Sequence, residues 1–260
     1  MEIVTEEIKM NLGGTSILKG INTHIKNKEF VGIIGPNGCG KSTFLKTIYR
    51  VLKPDYGCIY IDSQPLHDMV YKESAKKMAV VSQYNNYDFD FTVSEMVLMG
   101  RSPYKKNMQR DTKEDYDIID ECLEKVGMSS YKNRIFSSLS GGEQQRIILA
   151  RALAQKTESM ILDEPTNHLD IKYQLQILDT VKDLGITVIS AFHDLNIAAM
   201  YCDKIYALQS GKVVSYGTPE EVITPEIIRN LFEVESTVNM NEDGILHVVF
   251  RPSRSKGECR

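Results

Sequence analysis

No apolar run in this chain exceeds six residues, Ile197 to Cys202, whereas a membrane-spanning helix needs about 20. No spanning helix is therefore expected. Basic residues are not in excess either: 31 Lys and Arg against 35 Asp and Glu leave a formal charge of −4. That balance excludes a surface that tracks nucleic acid or anionic lipid over its whole extent. Cysteine is sparse and odd in number (Cys39, Cys58, Cys122, Cys202, Cys259), and no pair has Cys-x-x-Cys spacing. Neither a disulfide framework nor a cysteine-rich zinc site fits this pattern, and a cytoplasmic address does. The first residues, Met1-Glu2-Ile3-Val4-Thr5-Glu6-Glu7, are acidic where an export leader is basic and then apolar. What is present is ordinary for a globular chain: 42% hydrophobic and 25% charged residues over 260 positions. That is enough for one or two domains with a sizeable core.

Along the chain, Ile3 to Lys9 and Ile21 to Ile25 alternate with period two around a turn at Gly13-Gly14. Phe30-Val31-Gly32-Ile33-Ile34 is a continuous apolar run, the mark of a strand buried on both faces of a parallel sheet. It leads into Gly35-Pro36-Asn37-Gly38-Cys39-Gly40-Lys41-Ser42 and then a helix expected over Thr43 to Leu52. A helical stretch is expected from about Phe91 to Lys156, with capping boxes at Thr92/Glu95, Asp111/Glu114 and Ser140/Glu143. Strand and helix then alternate: Ser159 to Leu162, Ile171 to Leu184, Ile186 to Phe192, Leu195 to Cys202. Lys204 to Gln209 and Lys212 to Gly217 pair as a hairpin around Ser210-Gly211. Helices start at Thr218-Pro219 and Thr224-Pro225, and a last hairpin turns at Asn241 to Gly244.

Gly35 to Ser42 matches G-x-x-x-x-G-K-S between a buried strand and a helix, the setting in which that pattern cradles phosphates. Glycines let successive N–H groups point inward, and the helix N-terminus adds partial positive charge. Lys41 would then reach the β- and γ-phosphates, and the Ser42 hydroxyl would take a place on Mg²⁺. Met160-Ile161-Leu162 delivers two carboxylates, Asp163 and Glu164, to the carboxyl edge of a sheet. Asp163 suits Mg²⁺ and Glu164 suits proton acceptance from an attacking water. In Leu139-Ser140-Gly141-Gly142-Glu143 two glycines open a helix, at up to about 1 kcal/mol each relative to Ala. In return they bare backbone N–H groups beside a hydroxyl, a second anion site.

In these motifs, and in their order, the chain resembles the ATP-binding subunits of ABC transporters over roughly residues 2 to 250. Gln83 (in Val80-Val81-Ser82-Gln83), the Asn167-His168-Leu169-Asp170 loop and His193 complete the set. The resemblance implies an α/β fold: a P-loop NTPase core with a mostly parallel sheet, an N-terminal antiparallel β subdomain and an inserted α-helical lobe. It implies one ATP-binding domain, 1–250, with core at 1–90 and 157–220, helical lobe at 91–156, C-terminal extension at 221–250 and a flexible tail at 251–260. It also implies a head-to-tail dimer. Each ATP would be bound by Gly35, Pro36, Asn37, Gly38, Cys39, Gly40, Lys41, Ser42 and Thr43 of one copy and Ser140, Gly141 and Gly142 of the other. Mg²⁺ would be held by Ser42, Gln83 and Asp163. Catalysis would fall to Glu164, His193, Gln83 and Lys41, with Asp170 at the dimer seam.

Thr92 to Glu95, Val97 to Tyr104, Arg134 and the His193-Asp194-Leu195-Asn196-Ile197-Ala198-Ala199 stretch resemble the importers of iron–siderophore, haem and cobalamin. Iron-chelate uptake is the first expectation. A cobalamin importer and a soluble ABC scaffold are the alternatives. Partners would be permease subunits, with an extracellular or periplasmic binding protein acting indirectly and no nucleic acid, and the chain would sit on the cytoplasmic face of the membrane. A GTPase is disfavoured, because the one Asn-Lys followed by an acid, Asn27-Lys28-Glu29, breaks the Asn-Lys-x-Asp guanine motif. One position departs from the family: Leu12 stands where an aromatic residue usually stacks on adenine. An aliphatic side chain covers a base without offering a π face. GTP is therefore expected to compete appreciably with ATP, which a hydrolysis assay at rising GTP checks; strict adenine selectivity would count against it.

Overall fold

The computed structural model describes residues 1–82, 90–106, 109–164, 170–242 and 244–251. Strands β1 (Ile3–Leu12), β2 (Thr15–Ile25) and β3 (Phe30–Ile34) lead into helix α1 (Lys41–Ile48). Next come β4 (Tyr56–Ile61), the short β5 (Gln64–Pro65), α2 (Tyr71–Lys77) and β6 (Met78–Val81). Helices α3 (Val93–Leu98), α4 (Lys113–Lys125) and α5 (Gly141–Ala154) follow. Then β7 (Ser159–Asp163), α6 (Ile171–Lys182), β8 (Thr187–Ala191) and α7 (Leu195–Tyr201) alternate. The chain closes with β9 (Lys204–Gln209), β10 (Lys212–Gly217), α8 (Pro219–Val222), α9 (Pro225–Phe232), β11 (Glu235–Met240) and β12 (Leu246–Arg251). Among the described residues, no helix is long and apolar enough to cross a membrane.

The chain divides into two compact units. The first holds Met1–Val4, His24–Lys28 and Ile59–Ser190; the second holds Thr5–Thr23, Glu29–Cys58 and the described residues from Ala191 onward. In the second unit the strand order is β10-β9-β3, with β3 parallel to β9 and β10 antiparallel to β9. Every residue of β3 is buried, as a strand covered on both faces requires. Phe30 stacks on Phe192 with ring centroids 6.4 Å apart. Ser210 and Gly211, both at positive φ (49° and 81°), make the two-residue turn between β9 and β10. Near the N-terminus, β1 and β2 turn at Gly13-Gly14, and β1 lies between β2 and β4 in an antiparallel subdomain.

In the first unit the order is β8-β7-β6, with β6 parallel to β7 and β7 buried along its whole length. Its helical segment starts each of α3, α4 and α5 with a capping box, at Thr92/Glu95, Thr112/Asp115 and Ser140/Glu143. The middle box lies one residue beyond the expected Asp111/Glu114 pair. Both pairs fit the pattern, and a buried cation decides between them: Arg101 donates from Nε to Asp115 Oδ1 at 3.0 Å and from Nη1 to Ala154 O at 2.9 Å. The helix after the phosphate loop is likewise shorter than the expected Thr43 to Leu52. It closes in a Schellman turn, with Arg50 left-handed (φ 64°), Arg50 N donating to Thr47 O and Val51 N to Lys46 O. Val51, expected on the apolar stripe, is 65% exposed as a result.

Burial pushes the Asp115 carboxyl up. Donation from the Thr112 N–H, the Arg101 guanidinium and the Thr112 hydroxyl outweighs it and holds the group below its ordinary pKa. A carboxyl held low in the folded chain contributes stability that is complete above the unfolded pKa and is lost as pH falls through the folded one. Asp115→Asn should therefore cost about 3 kcal/mol near neutrality by stranding a buried guanidinium. The Tm gap to the parent should close in strong acid, and an unchanged gap there would refute the ionic account.

Candidate active site

In the second unit, β3 ends at Ile34 and the chain turns through Gly35 (φ 151°), Gly38 (φ 77°) and Gly40 (φ 110°) before α1 begins at Lys41. Gly35 is fixed by contact as well as by φ, since a Cβ there would lie 2.2 Å from Leu208 O and 2.8 Å from Cys39 Sγ. The turn between β9 and β10 supports the loop, with Gly211 N donating to Cys39 O at 3.0 Å. Asn37 and Gly38 are exposed at the loop's outer rim, and a Cβ on Gly38 would meet nothing within 4 Å. Lys41 is buried, and its ammonium donates to Gly35 O (2.8 Å) and Pro36 O (3.2 Å), so its charge lies inside the loop. Ser42 and Thr43 are half-buried on the first turn of α1. A cradle of glycine backbone at a helix N-terminus with an ammonium inside fits a polyphosphate.

His193 lies in the same unit, exposed, just past the end of β8. Phe192 N donates to Ile33 O at 3.0 Å, so the chain leaves for His193 beside the place where β3 leaves for Gly35. Leu12 ends β1 and is 39% exposed. Cys39 is buried within the loop, and that burial raises its thiol pKa against the opposing pull of the Lys41 charge.

In the first unit, Asp163 is the last residue of β7 and is 2% exposed. Glu164 follows, half-buried, with φ 54°, a conformation uncommon outside glycine. Backbone strain of this kind costs on the order of 1–3 kcal/mol and clusters at working sites. It also takes the Glu164 side chain out of strand alternation. Ser140 caps α5: its N–H and hydroxyl both donate to Glu143 Oε2 at 2.8 Å and hold that carboxyl below its ordinary pKa. Gly141 is exposed, has no positive φ, and a Cβ there would meet nothing within 4 Å. Nothing among the described residues therefore requires glycine at that position. Gly142, half-buried, follows it into the first turn of α5. Asp170 is exposed at the N-cap of α6 without using its carboxylate as a cap. Gln83 and Asn167-His168-Leu169 lie outside the described residues.

The structure thus gathers Gly35 to Thr43, Leu12 and His193 into one unit, and Ser140 to Gly142, Asp163, Glu164 and Asp170 into the other. The hydroxyl of Ser42 in one unit and the carboxylate of Asp163 in the other are each oxygen donors of the kind a small hard cation takes. Among the described residues, no cluster of three His, Cys, Asp or Glu side chains offers an alternative site. Sequence reasoning missed the part played by Leu208 and Gly211 in holding the loop. Gly211 was legible as a turn residue, but nothing local announces the second contact.

The family model for ABC transporters matches residues 18–167. The petrobactin import ATP-binding protein FpuC of Bacillus anthracis is 41% identical over 222 residues, covering 84% of this chain and 82% of its own. The iron(3+)-hydroxamate import ATP-binding protein FhuC of Bacillus subtilis is 39% identical over 238 residues, covering 90% and 88%. A cobalamin import ATP-binding protein, BtuD of Halobacterium salinarum, is 36% identical over 253 residues, covering 95% and 63%. Among solved structures, a bacterial ABC transporter cassette in dimeric form superposes with a TM-score of 0.74 at 31% identity, covering 84% of this chain and 98% of that one. An ATP-binding cassette in its ADP conformation reaches 0.78 at 26%, covering 90% and 98%. The chain belongs to the ABC transporter family.

Because Cys39 is buried with a raised pKa while Cys58 is half-buried, alkylation near neutral pH should label Cys39 more slowly than Cys58, read peptide by peptide by mass spectrometry. Verified labelling of Cys39 is expected to abolish ATP hydrolysis, and full turnover after it would remove the loop from the chemistry.

Proposed function

We propose that this chain is the ATP-hydrolysing subunit of an importer that takes up an iron chelate, a siderophore or haem, through a membrane permease. The observation that carries this reading is the pair of iron-chelate import relatives that match it over more than four-fifths of both chains. The subunit works as a head-to-tail pair at the cytoplasmic face, beneath two permease subunits, with an external binding protein delivering the load. Support for the pairing comes from Gly141, whose missing side chain serves no contact among the described residues, and from the related cassette that is itself a dimer. A cobalamin importer is the second reading, favoured by the Halobacterium relative.

ATP and water give ADP and phosphate. The backbone N–H groups of Gly38 to Thr43 bind the β- and γ-phosphates, and Lys41 exchanges its bonds to Gly35 O and Pro36 O for phosphate oxygens. Ser42, Asp163 and Gln83 would hold Mg²⁺, which when bound neutralises charge on the phosphates. Glu164 accepts the proton from the attacking water as its oxygen bonds to the γ-phosphorus and the bond to ADP breaks. His193 contacts the γ-phosphate and orients the water. Ser140, Gly141 and Gly142 of the second copy close on the same nucleotide, and Asp170 lines the seam. Two ATP molecules that touch both copies favour the closed pair, and hydrolysis removes that preference.

Glu164→Gln should bind ATP, dimerise and hydrolyse about 10²–10⁴-fold more slowly, the range that a positioned proton acceptor contributes. Size-exclusion chromatography with and without ATP, beside a phosphate-release assay, checks both halves, and near-normal turnover would overturn the role given to Glu164. Affinity purification from membranes is expected to bring an integral membrane partner with the chain. Recovery with soluble partners alone would favour a scaffold.

A further inference from the structure

Helix α7 begins at Leu195, two residues after His193. Its first turn is capped by Asp194, whose Oδ1 accepts from Asn196 N at 2.8 Å and Ile197 N at 3.2 Å. Asn196 has no capping duty, and its side chain reaches 52 residues along the chain to the C-terminal hairpin. Its Oδ1 accepts the N–H of Val248 at 2.7 Å, and its Nδ2 donates to the carbonyl of the same residue at 3.3 Å. One amide therefore satisfies both backbone groups of a β12 residue on the edge that faces away from β11, as a neighbouring strand would. A two-point bond of this kind restrains rotation as well as distance. Around it, Leu195, Ile197 and Ala198 of α7 and Leu246 and Val248 of β12 are all buried, so the contact is packed as well as bonded. On the other side, the residue before His193 is tied to β3 through Phe192 N and Ile33 O.

His193 thus sits on a short stretch held at one end by the strand that feeds the phosphate loop and at the other by the hairpin. We infer that Asn196 is a positioning residue for His193, through which the β11–β12 hairpin sets the efficiency of hydrolysis. The inference rests on the reading of His193 as the γ-phosphate contact. Displacement of a catalytic group by about 1 Å can cost up to two orders of magnitude in rate, so a loosened α7 should show in kcat rather than in nucleotide binding.

Steady-state hydrolysis by the full chain tests this with Asn196→Ala and with Val248→Pro, each in the parent and in a His193→Ala background. Val248→Pro deletes the same hydrogen bond from the hairpin side and spares the β11 ladder, because that N–H points to Asn196. It decides the matter should Asn196→Ala not fold. Each variant is expected to lower kcat about tenfold with KM within about twofold, and to add no further loss once His193 is gone. Parental kcat in the folded Asn196 variant while His193→Ala loses activity would overturn the inference and leave the reading of His193 standing. Equal losses in both backgrounds would overturn it too, by making the contact merely structural. A His193→Ala chain that hydrolyses at the parental rate would overturn both.

Discussion

The backbone of Gly35 runs against the carbonyl of Leu208 with no room for a single carbon between them, and the site depends on that closeness. It forces the chain to leave β3 at a left-handed angle and carries it round to Cys39, where the N–H of Gly211 meets it. The loop is therefore shaped by a neighbouring hairpin as much as by its own glycines. A loop so held is fixed by protein contacts, the preorganisation that makes backbone dipoles effective. Lys41 completes the arrangement by lying across the loop's carbonyls, where a change of hydrogen-bond partners brings it to an anion.

In the first unit the same economy appears in a different form. Each of the helices α3, α4 and α5 satisfies its own first turn through a side chain three residues ahead. Two N–H groups at each of these ends, those of the N-cap and of the third helical residue, are met locally. Ser140 serves in one of these boxes, and its hydroxyl is engaged with Glu143. A phosphate approaching α5 would meet the Gly141 backbone as well as an ordered hydroxyl.

Much of this was readable from residue order. The buried strands β3, β7 and β8, the turn at Ser210-Gly211, the two Thr-Pro helix starts and the glycine loop between β3 and α1 all follow from local rules. The failures were of two kinds. Where two overlapping patterns competed, as at Asp111/Glu114 and Thr112/Asp115, the outcome turned on Arg101, 14 residues from Asp115 in sequence. Where a helix could continue on composition alone, as at Val51, a non-glycine residue took the left-handed turn that stopped it. The residue types of the site were legible, but not the support beneath them: neither Leu208 against Gly35 nor Asn196 against Val248 leaves a trace in sequence spacing. Residues 56–82, with β4, β5, α2 and β6, carry weak periodicity and were read only at their end.

The left-handed backbone at Glu164 sets folding and chemistry against one another at a single position. Glycine or asparagine would occupy that conformation with less strain, so any search for heat-resistant forms of the protein is drawn towards replacing the residue to which the proposed mechanism gives the proton. On that mechanism, selection for durability alone would lead to a sturdier, idle molecule.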